Sequence, residues 1–242
     1  SIQARGLTKV YGAKTAVDDL HLDVREGELF ALLGVNGAGK TTAIKMLAGL
    51  TLPTGGDARL LGDSIVSDPT RAKAHNGISP QETAVARNLS VLENLALMAR
   101  VYGADARTAA EKAKKTAEQL GLTEVARAKA KTLSGGMQRR LSIGMALISE
   151  PRILFLDEPT LGLDVIARRA LWAAVRSLKG RVTILLTTHY LEEAEAFSDR
   201  VGVMANGRLV AAGTVAELVA QTGVGSFEDA FIALAAETEA IA

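Results

Sequence analysis

An apolar run and a glycine-rich loop stand together at residues 29–41, LFALLGVNGAGKT. Residues 34–41 match the pattern G-x-x-x-x-G-K-[ST], in which a loop leaves a buried strand and opens a helix. The loop glycines allow the backbone to curl so that several N–H groups face one anion. The helix that begins near Gly39 adds the positive end of its dipole. The residues expected to contact phosphate are Gly34, Asn36, Gly37, Ala38, Gly39, Lys40, Thr41 and Thr42.

Two side chains of this loop, Lys40 and Thr41, could bind the phosphates and the metal ion of a nucleotide directly. Lys40 would bring a positive charge to the β- and γ-phosphates of a nucleotide, and the Thr41 hydroxyl is a suitable ligand for Mg²⁺. The alternative for the loop alone is a glycine-rich turn that binds nothing. The sequence therefore predicts a site for a nucleoside triphosphate.

Composition and length limit the other possibilities. With 242 residues, 48% hydrophobic and 23% charged, the chain is typical of a globular protein with a sizeable core. Its net charge of +1 gives no indication that nucleic acid is the main partner. The absence of cysteine excludes disulfides and agrees with a reducing compartment. Because no apolar stretch approaches about 20 residues and no signal peptide is evident, we expect a soluble, intracellular polypeptide.

Strand and helix patterns alternate along the chain and predict an α/β fold with a mainly parallel sheet. Apolar strand patterns occur at residues 29–33, 153–156, 182–187 and 201–204. Between residues 83 and 149 the pattern becomes helical, with apolar side chains recurring at helical spacing. The last segment, from Phe227 to Ala242, has the pattern of a weakly amphipathic helix.

One of these strands ends in two carboxylates, Asp157 and Glu158. Ligands of open α/β sheets collect at the carboxyl ends of strands, which places both side chains near the expected nucleotide. Asp157 suits Mg²⁺, and Glu158 suits the polarisation of an attacking water. The alternative for this segment alone is an ordinary solvated strand end.

A second glycine pair precedes a helical pattern in residues 133–138, LSGGMQ. Ser134 is a natural N-cap, and Gly135 and Gly136 leave backbone N–H groups exposed at a helix N-terminus. These features indicate a second anion-binding site. The alternative is a plain capped start of a helix.

The order and spacing of these segments resemble an ATP-binding cassette (ABC) ATPase domain over essentially the whole chain. The resemblance rests on residues 34–41, Gln81, residues 133–138, the pair at 157–158, Asp164 and His189. It implies a P-loop NTPase (RecA-like) core with a mainly parallel sheet, an antiparallel β-subdomain and an inserted α-helical subdomain. The expected division is a core at 1–82 and 150–225, a helical subdomain at 83–149 and a C-terminal helix at 226–242.

Several residue roles follow from the resemblance alone. Tyr11 resembles the aromatic residue that stacks on adenine, the alternative being a tyrosine packed in the core. Gln81 resembles the loop glutamine that senses Mg²⁺ and the γ-phosphate, and His189 resembles the histidine that contacts that phosphate. The family forms a head-to-tail dimer, in which Ser134, Gly135 and Gly136 of one subunit close over ATP held by the other. The loop with Asp164 would cross that interface.

The resemblance also implies an activity and partners. We expect a Mg²⁺-dependent ATPase that works with a second ATPase subunit and a separate integral membrane permease, peripheral on the inner, cytoplasmic face of the cell membrane. Residues 80–82, Met137, residues 187–195 and residues 227–231 resemble exporters of the ABC-2 type. The alternatives are an importer ATPase, a soluble ABC ATPase acting on the ribosome or DNA, and a nucleotide-binding module without turnover.

Overall fold

The structure is a computed structural model in which residues 1–236 are described. The strands are β1 (Ile2–Tyr11), β2 (Lys14–Val24), β3 (Leu29–Leu33), β4 (Gly55–Leu60), β5 (Asp63–Ser64), β6 (Asn76–Ser79), β7 (Ile153–Asp157), β8 (Thr183–Thr188), β9 (Arg200–Ala205) and β10 (Arg208–Gly213). The helices are α1 (Lys40–Leu47), α2 (Pro69–Ala74), α3 (Val91–Val101), α4 (Ala106–Gln119), α5 (Gly135–Leu147), α6 (Val165–Arg176), α7 (Leu191–Phe197), α8 (Val215–Thr222) and α9 (Phe227–Ala236). The final part of the expected C-terminal helix, residues 237–242, lies outside the described residues.

The larger sheet has six strands in the order β10-β9-β3-β8-β7-β6. Strand β3 pairs in parallel with β8 and β9, and β7 pairs in parallel with β8 and β6. Only β10 runs antiparallel to its neighbour within this sheet. The predicted α/β fold with a mainly parallel sheet is therefore confirmed.

The two faces of the parallel sheet bury different sets of side chains. In β3 all five residues are buried, and alternate positions point to opposite faces. Leu29, Ala31 and Leu33 join the apolar side chains of α3 to α6. Phe30 and Leu32 join those of α1 and of the smaller sheet. This burial on both faces explains why the strand reads as an unbroken apolar run.

The smaller sheet is antiparallel, with the strand order β2-β1-β4-β5. In β2 buried and exposed residues alternate, because Leu20, Leu22 and Val24 are buried while His21 and Asp23 are exposed. This sheet and the parallel sheet enclose one apolar cluster between them. The predicted antiparallel β-region is thus present.

Helices occupy the region between β6 and β7, as the periodicity predicts. Helix α3 begins with a capping box, in which Ser90 accepts from the Glu93 N–H and the Glu93 carboxylate accepts from the Ser90 N–H. Val91 and Leu95 are buried, whereas Val101 at the end of the helix is 68% exposed. Within residues 1–236, no helix combines the length and hydropathy needed to cross a membrane. The division of the chain at 82/83, 149/150 and 225/226 stays a prediction.

The parallel register determines where functional side chains meet. Leu33 lies opposite Thr188 in the β3–β8 pair, and Asp157 lies opposite Thr187 in the β7–β8 pair. The carboxyl ends of β3, β8 and β7 therefore form one edge. The loops that follow these three strands converge there.

Candidate nucleotide-binding site

The loop between β3 and α1 forms a backbone cradle. Gly37 and Gly39 have backbone φ values of +86° and +100°, which residues with a Cβ rarely adopt. A Cβ on Gly39 would also collide with the carbonyl of Ala16. Gly39 precedes α1 and provides no side-chain cap for the first N–H groups of that helix. The cradle is therefore suited to a phosphate group.

Lys40 is 6% exposed, and its ammonium group lies inside this cradle. Its Nζ donates to the carbonyls of Gly34 at 2.6 Å and Val35 at 3.2 Å. It also lies 3.8 Å from Oε1 of Glu158. Burial lowers the pKa of Lys40, and the negative charges of Glu158 and Asp157 oppose that shift.

Oxygen atoms gather beside the cradle around Asp157, which is 2% exposed. Its Oδ1 accepts hydrogen bonds from the hydroxyls of Thr41 at 3.0 Å and Thr187 at 2.6 Å. A carboxylate next to a hydroxyl is a donor set suited to Mg²⁺, which in nucleotide sites takes its other ligands from phosphates and water. No group of three or more His, Cys, Asp or Glu side chains placed to hold a metal occurs within residues 1–236. Asp157 and Thr41 are therefore suited to a magnesium ion whose other ligands would come from a bound nucleotide.

Glu158 and His189 form a close pair at the ends of β7 and β8. Glu158 has a positive φ of +46° and a buried side chain, and its N–H donates to the hydroxyl of Thr187 at 2.9 Å. Nδ1 of His189 lies 2.8 Å from Oε2 of Glu158. A carboxylate fixed in this way at the edge of a cleft can orient a water molecule.

An open cleft of about 500 Å³ connects these groups. Most of the predicted site residues line it together: Asn36, Gly37, Ala38, Gly39, Lys40, Thr41, Thr42, Gln81, Glu158 and His189. Lys14, Ala16 and Leu161, which were not among the predicted site residues, also line the cleft. Gly34 and Asp157 lie behind the lining, where they hold Lys40 and Thr41.

Besides Gly34 and Asp157, five predicted residues do not line this cleft: Tyr11, Ser134, Gly135, Gly136 and Asp164. Tyr11 ends β1 and is 49% exposed, so the alternative of a tyrosine packed in the core is wrong. The Ser134 hydroxyl caps α5 by accepting from the N–H of Met137 at 3.3 Å. The Asp164 carboxylate caps α6 by accepting from the N–H of Ala167 at 2.8 Å.

The two glycines after Ser134 differ in their surroundings. A Cβ on Gly135 would meet no other atom within 4 Å. A Cβ on Gly136 would lie 2.5 Å from the Cβ of Ala167, because α5 and α6 cross closely at this point. Packing therefore accounts for a glycine at 136, whereas packing places no such demand on residue 135.

Arg139 was not predicted as a site residue, and it is buried on α5 next to the site. It donates to the carbonyls of Asp157 at 2.6 Å, Pro159 at 3.1 Å and Gln81 at 3.2 Å, and also to that of Pro80. Burial lowers its pKa to about 10, so it remains charged at neutral pH. Because residue 139 follows Gly136 by three positions, both lie on the buried face of α5.

The phosphate cradle after β3, the two carboxylates at the end of β7 and the histidine after β8 together define a P-loop NTPase. Comparison with known proteins then identifies the family. The sequence profile described as "ABC transporter" matches residues 17–161, and the chain belongs to that family as an ABC ATPase that binds ATP.

Curated relatives and a solved structure agree with this membership. The chain is 42% identical over 224 residues to the daunorubicin/doxorubicin resistance ATP-binding protein of Streptomyces peucetius, covering 92% of this chain and 68% of the relative. It is 43% identical over 220 residues to the Nod factor export ATP-binding protein I of Ralstonia nicotianae, covering 90% and 68%. A solved ATP-binding subunit of an ABC transporter superposes with a TM-score of 0.85 at 30% identity, covering 96% of this chain and 98% of that one.

Proposed function

We propose that this chain is the ATP-hydrolysing motor subunit of an ABC-2 type exporter. The observation that carries the proposal is the convergence of Lys40, Glu158 and His189 on the cleft beside the phosphate cradle. Hydrolysis of ATP is phosphoryl transfer to water, in which positioning and charge neutralisation supply most of the catalysis. The three side chains match these tasks.

The triphosphate would lie in the cradle formed by residues 34–42. Backbone N–H groups and the α1 dipole would bind its β- and γ-phosphates, and Lys40 would transfer its hydrogen bonds from the loop carbonyls to phosphate oxygens. Thr41, Asp157 and Gln81 would hold Mg²⁺. When bound, that ion neutralises phosphate charge as it develops in the transition state.

The carboxylate of Glu158 would orient the attacking water and accept its proton. His189 holds Oε2 of this carboxylate, which leaves Oε1 near Lys40 and the cleft. With the γ-phosphate bound, His189 would contact the group being transferred. Glu158, His189 and Lys40 are therefore the proposed catalytic residues.

The remaining predicted residues would act across a head-to-tail dimer. Ser134, Gly135 and Gly136 start α5 outside the cleft, and their N–H groups would contact the γ-phosphate of ATP held by a second subunit. Asp164 would lie at the same interface, and exposed Tyr11 would stack on adenine. The second subunit is either an identical chain or a related one.

A separate membrane permease is the proposed partner for transport. A groove of about 510 Å³ lies beside the Gln81 loop, and α3 borders it. Nearby apolar side chains are unusually exposed: Leu50 is 58%, Val101 68% and Tyr102 55% exposed. A permease docked there would hold the chain at the inner, cytoplasmic face of the cell membrane. The names of the two relatives, one for drug resistance and one for export, support an exporter.

Site-specific cross-linking tests the dimer, and the chain has no native cysteine to interfere. Chains with Asn36→Cys are mixed with chains with Ser134→Cys, in the Glu158→Gln background with ATP and a short bismaleimide. We expect cross-linked dimers from the mixture, none from either variant alone, and none with ADP. Ser67→Cys in place of Ser134→Cys is the matched control. Cross-links between two Asn36→Cys chains would contradict the head-to-tail arrangement. No cross-link in the mixture would contradict a head-to-tail dimer of identical chains and leave a related chain as the second subunit.

Co-purification tests the transport role separately. The tagged chain, expressed with the membrane proteins of its host, should retain a hydrophobic permease through washing in mild detergent. Substitution of the exposed apolar pair, Val101→Asp with Tyr102→Ser, should release the permease and leave ATP binding intact. Retention of ribosomes instead of a membrane protein would favour the alternative of a soluble ABC ATPase.

A further inference from the structure

An ion pair lies between α6 and α7, formed by a buried glutamate and an arginine whose side chain is 33% exposed. Glu193 is 4% exposed, and its Oε2 accepts from the hydroxyl of Thr160 at 2.7 Å. Its Oε1 lies 3.3 Å from Nε of Arg168. A buried carboxylate requires such partners because its desolvation is costly.

The contact between Arg168 and Glu193 is close but not aligned. Among the described residues, neither Nε of Arg168 nor Oε1 of Glu193 completes a hydrogen bond, although both atoms are buried. Buried polar atoms normally complete their hydrogen bonds, so an exception calls for an explanation. Charge attraction therefore holds this pair without a hydrogen bond between the two atoms.

Arg168 also reaches the histidine of the proposed catalytic site through an aromatic ring. Its guanidinium carbon lies 4.5 Å from the centroid of the Tyr190 ring. The Tyr190 ring in turn lies 4.1 Å from the His189 ring, tilted by 37°. The side chains of Arg168, Tyr190 and His189 thus contact one another in a row, with Glu193 beside Arg168 at one end.

Arg168 and Glu193, at the end of the row away from His189, are connected to the loop before α6. The N–H of Arg168 donates to the carbonyl of Asp164 at 2.9 Å, in the first turn of the helix that Asp164 caps. Thr160, which binds Glu193, accepts from the N–H of Leu163 at 3.1 Å. A displacement of residues 161–164 would therefore reach Arg168 through the backbone and Glu193 through Thr160.

We propose that Arg168 and Glu193 are a positioning pair that orients the His189 ring through Tyr190, and so couples the loop at 161–164 to the Glu158–His189 pair of the same chain. The inference rests on the proposed function, in which that loop meets a second subunit and His189 contacts phosphate. A planar guanidinium stacks on an aromatic ring while it pairs with a carboxylate, which the ammonium of a lysine does less well.

Histidine NMR on the nucleotide-free chain tests the pair without reliance on activity. The sequence has only three histidines, so His21 and His75 serve as internal references. Arg168→Met should move the His189 ring signals and leave the other two in place. Arg169→Met, at the exposed neighbouring position of α6, should move none of them.

A double-mutant cycle separates coupling from loss of structure. Tyr190→Leu keeps the Arg168–Glu193 pair and removes the ring between Arg168 and His189. In that background, Arg168→Lys should produce no further shift of the His189 signals, although it produces one in the wild-type chain. Unchanged His189 signals in Arg168→Met, or equal Arg168→Lys shifts in both backgrounds, would overturn the inference.

Steady-state kinetics give the functional readout. Arg168→Met should lower kcat for Mg-ATP by about 10- to 100-fold, because misplacement of a catalytic group affects the transition state most. Its KM should stay within about twofold, since the phosphate cradle is unchanged. A rise in KM with an unchanged kcat would overturn the inference. An inactive wild-type chain would contradict the proposed function instead, and the NMR result would still decide on the coupling.

Discussion

Nδ1 of His189 lies 2.8 Å from Oε2 of Glu158, so two residues 31 positions apart meet at the edge of the parallel sheet. The other oxygen of Glu158 is 3.8 Å from Nζ of Lys40. A carboxylate thus lies between a lysine and a histidine from two other segments. A bound triphosphate would offer Lys40 a stronger partner and leave the carboxylate to act on water.

Replacement of Lys40 should weaken nucleotide binding with little damage to the fold. Lys40→Met removes hydrogen bonds from a charged donor, each worth about 1.5–3 kcal/mol, so ATP affinity should fall by about 10- to 100-fold. The burial that lowers the pKa of Lys40 also makes its charge costly, which limits the loss of stability. Titration calorimetry measures the affinity, with Lys45→Met on the exposed side of α1 as the control. Equal affinity of Lys40→Met and wild type would contradict the assignment.

Replacement of Arg139 should destabilise the fold. Arg139→Met leaves the buried carbonyls of Asp157 and Pro159 without their donor, and the free energy of unfolding should fall by about 3 kcal/mol. Arg140→Met is the matched control at the next position. It loses hydrogen bonds to the carbonyls of Leu120 and Gly121 and should cost about 1 kcal/mol. Urea unfolding measures both, and equal losses would contradict the role given to Arg139.

The capping box of α3 should make stability depend on pH. Hydrogen bonds from the backbone N–H and the side chain of Ser90 lower the pKa of Glu93 below its usual 4.5. A carboxylate whose pKa is lower in the folded state than in the unfolded state stabilises the fold at pH values above its unfolded-state pKa. This contribution is lost as the pH falls through the folded-state pKa. Wild type should therefore be more stable than Glu93→Gln at neutral pH, and the difference should vanish in acid.

Unfolding curves between neutral pH and about pH 3, the range in which carboxylates titrate, measure this difference. Glu118→Gln, at an exposed position of α4, is the control and should show no comparable change. A difference between wild type and Glu93→Gln that is constant across this range would contradict the role of the charged carboxylate.

The sequence was sufficient to predict the buried strands β3, β7 and β8, because each contains an unbroken stretch of apolar residues between turns. It was not sufficient for β6, whose residues Asn76–Ser79 are mostly small or polar. That strand forms through parallel pairing with β7, a partner about 75 residues away along the chain. Local patterns carry no signal for such distant pairing.

The candidate site could likewise be predicted only where its residues follow one another along the chain. The residues of the cradle were evident from spacing, because they follow one another along the chain. The four carbonyls bound by Arg139 come from two distant segments, at residues 80–81 and 157–159, which only the folded chain brings together. The contacts of Arg168 with Glu193 and Tyr190 depend likewise on how α6 packs against α7.

The most direct test compares the wild-type chain with Glu158→Gln in Mg-ATP. We expect wild type to hydrolyse ATP, and Glu158→Gln to bind ATP with similar affinity, lose at least about 100-fold in turnover and accumulate as a dimer. Glu195→Gln, at an exposed position of α7, should behave as wild type. Turnover, nucleotide affinity and molar mass in solution are measured on the same samples. Normal turnover by Glu158→Gln would contradict the proposal that the Glu158 carboxylate activates the attacking water.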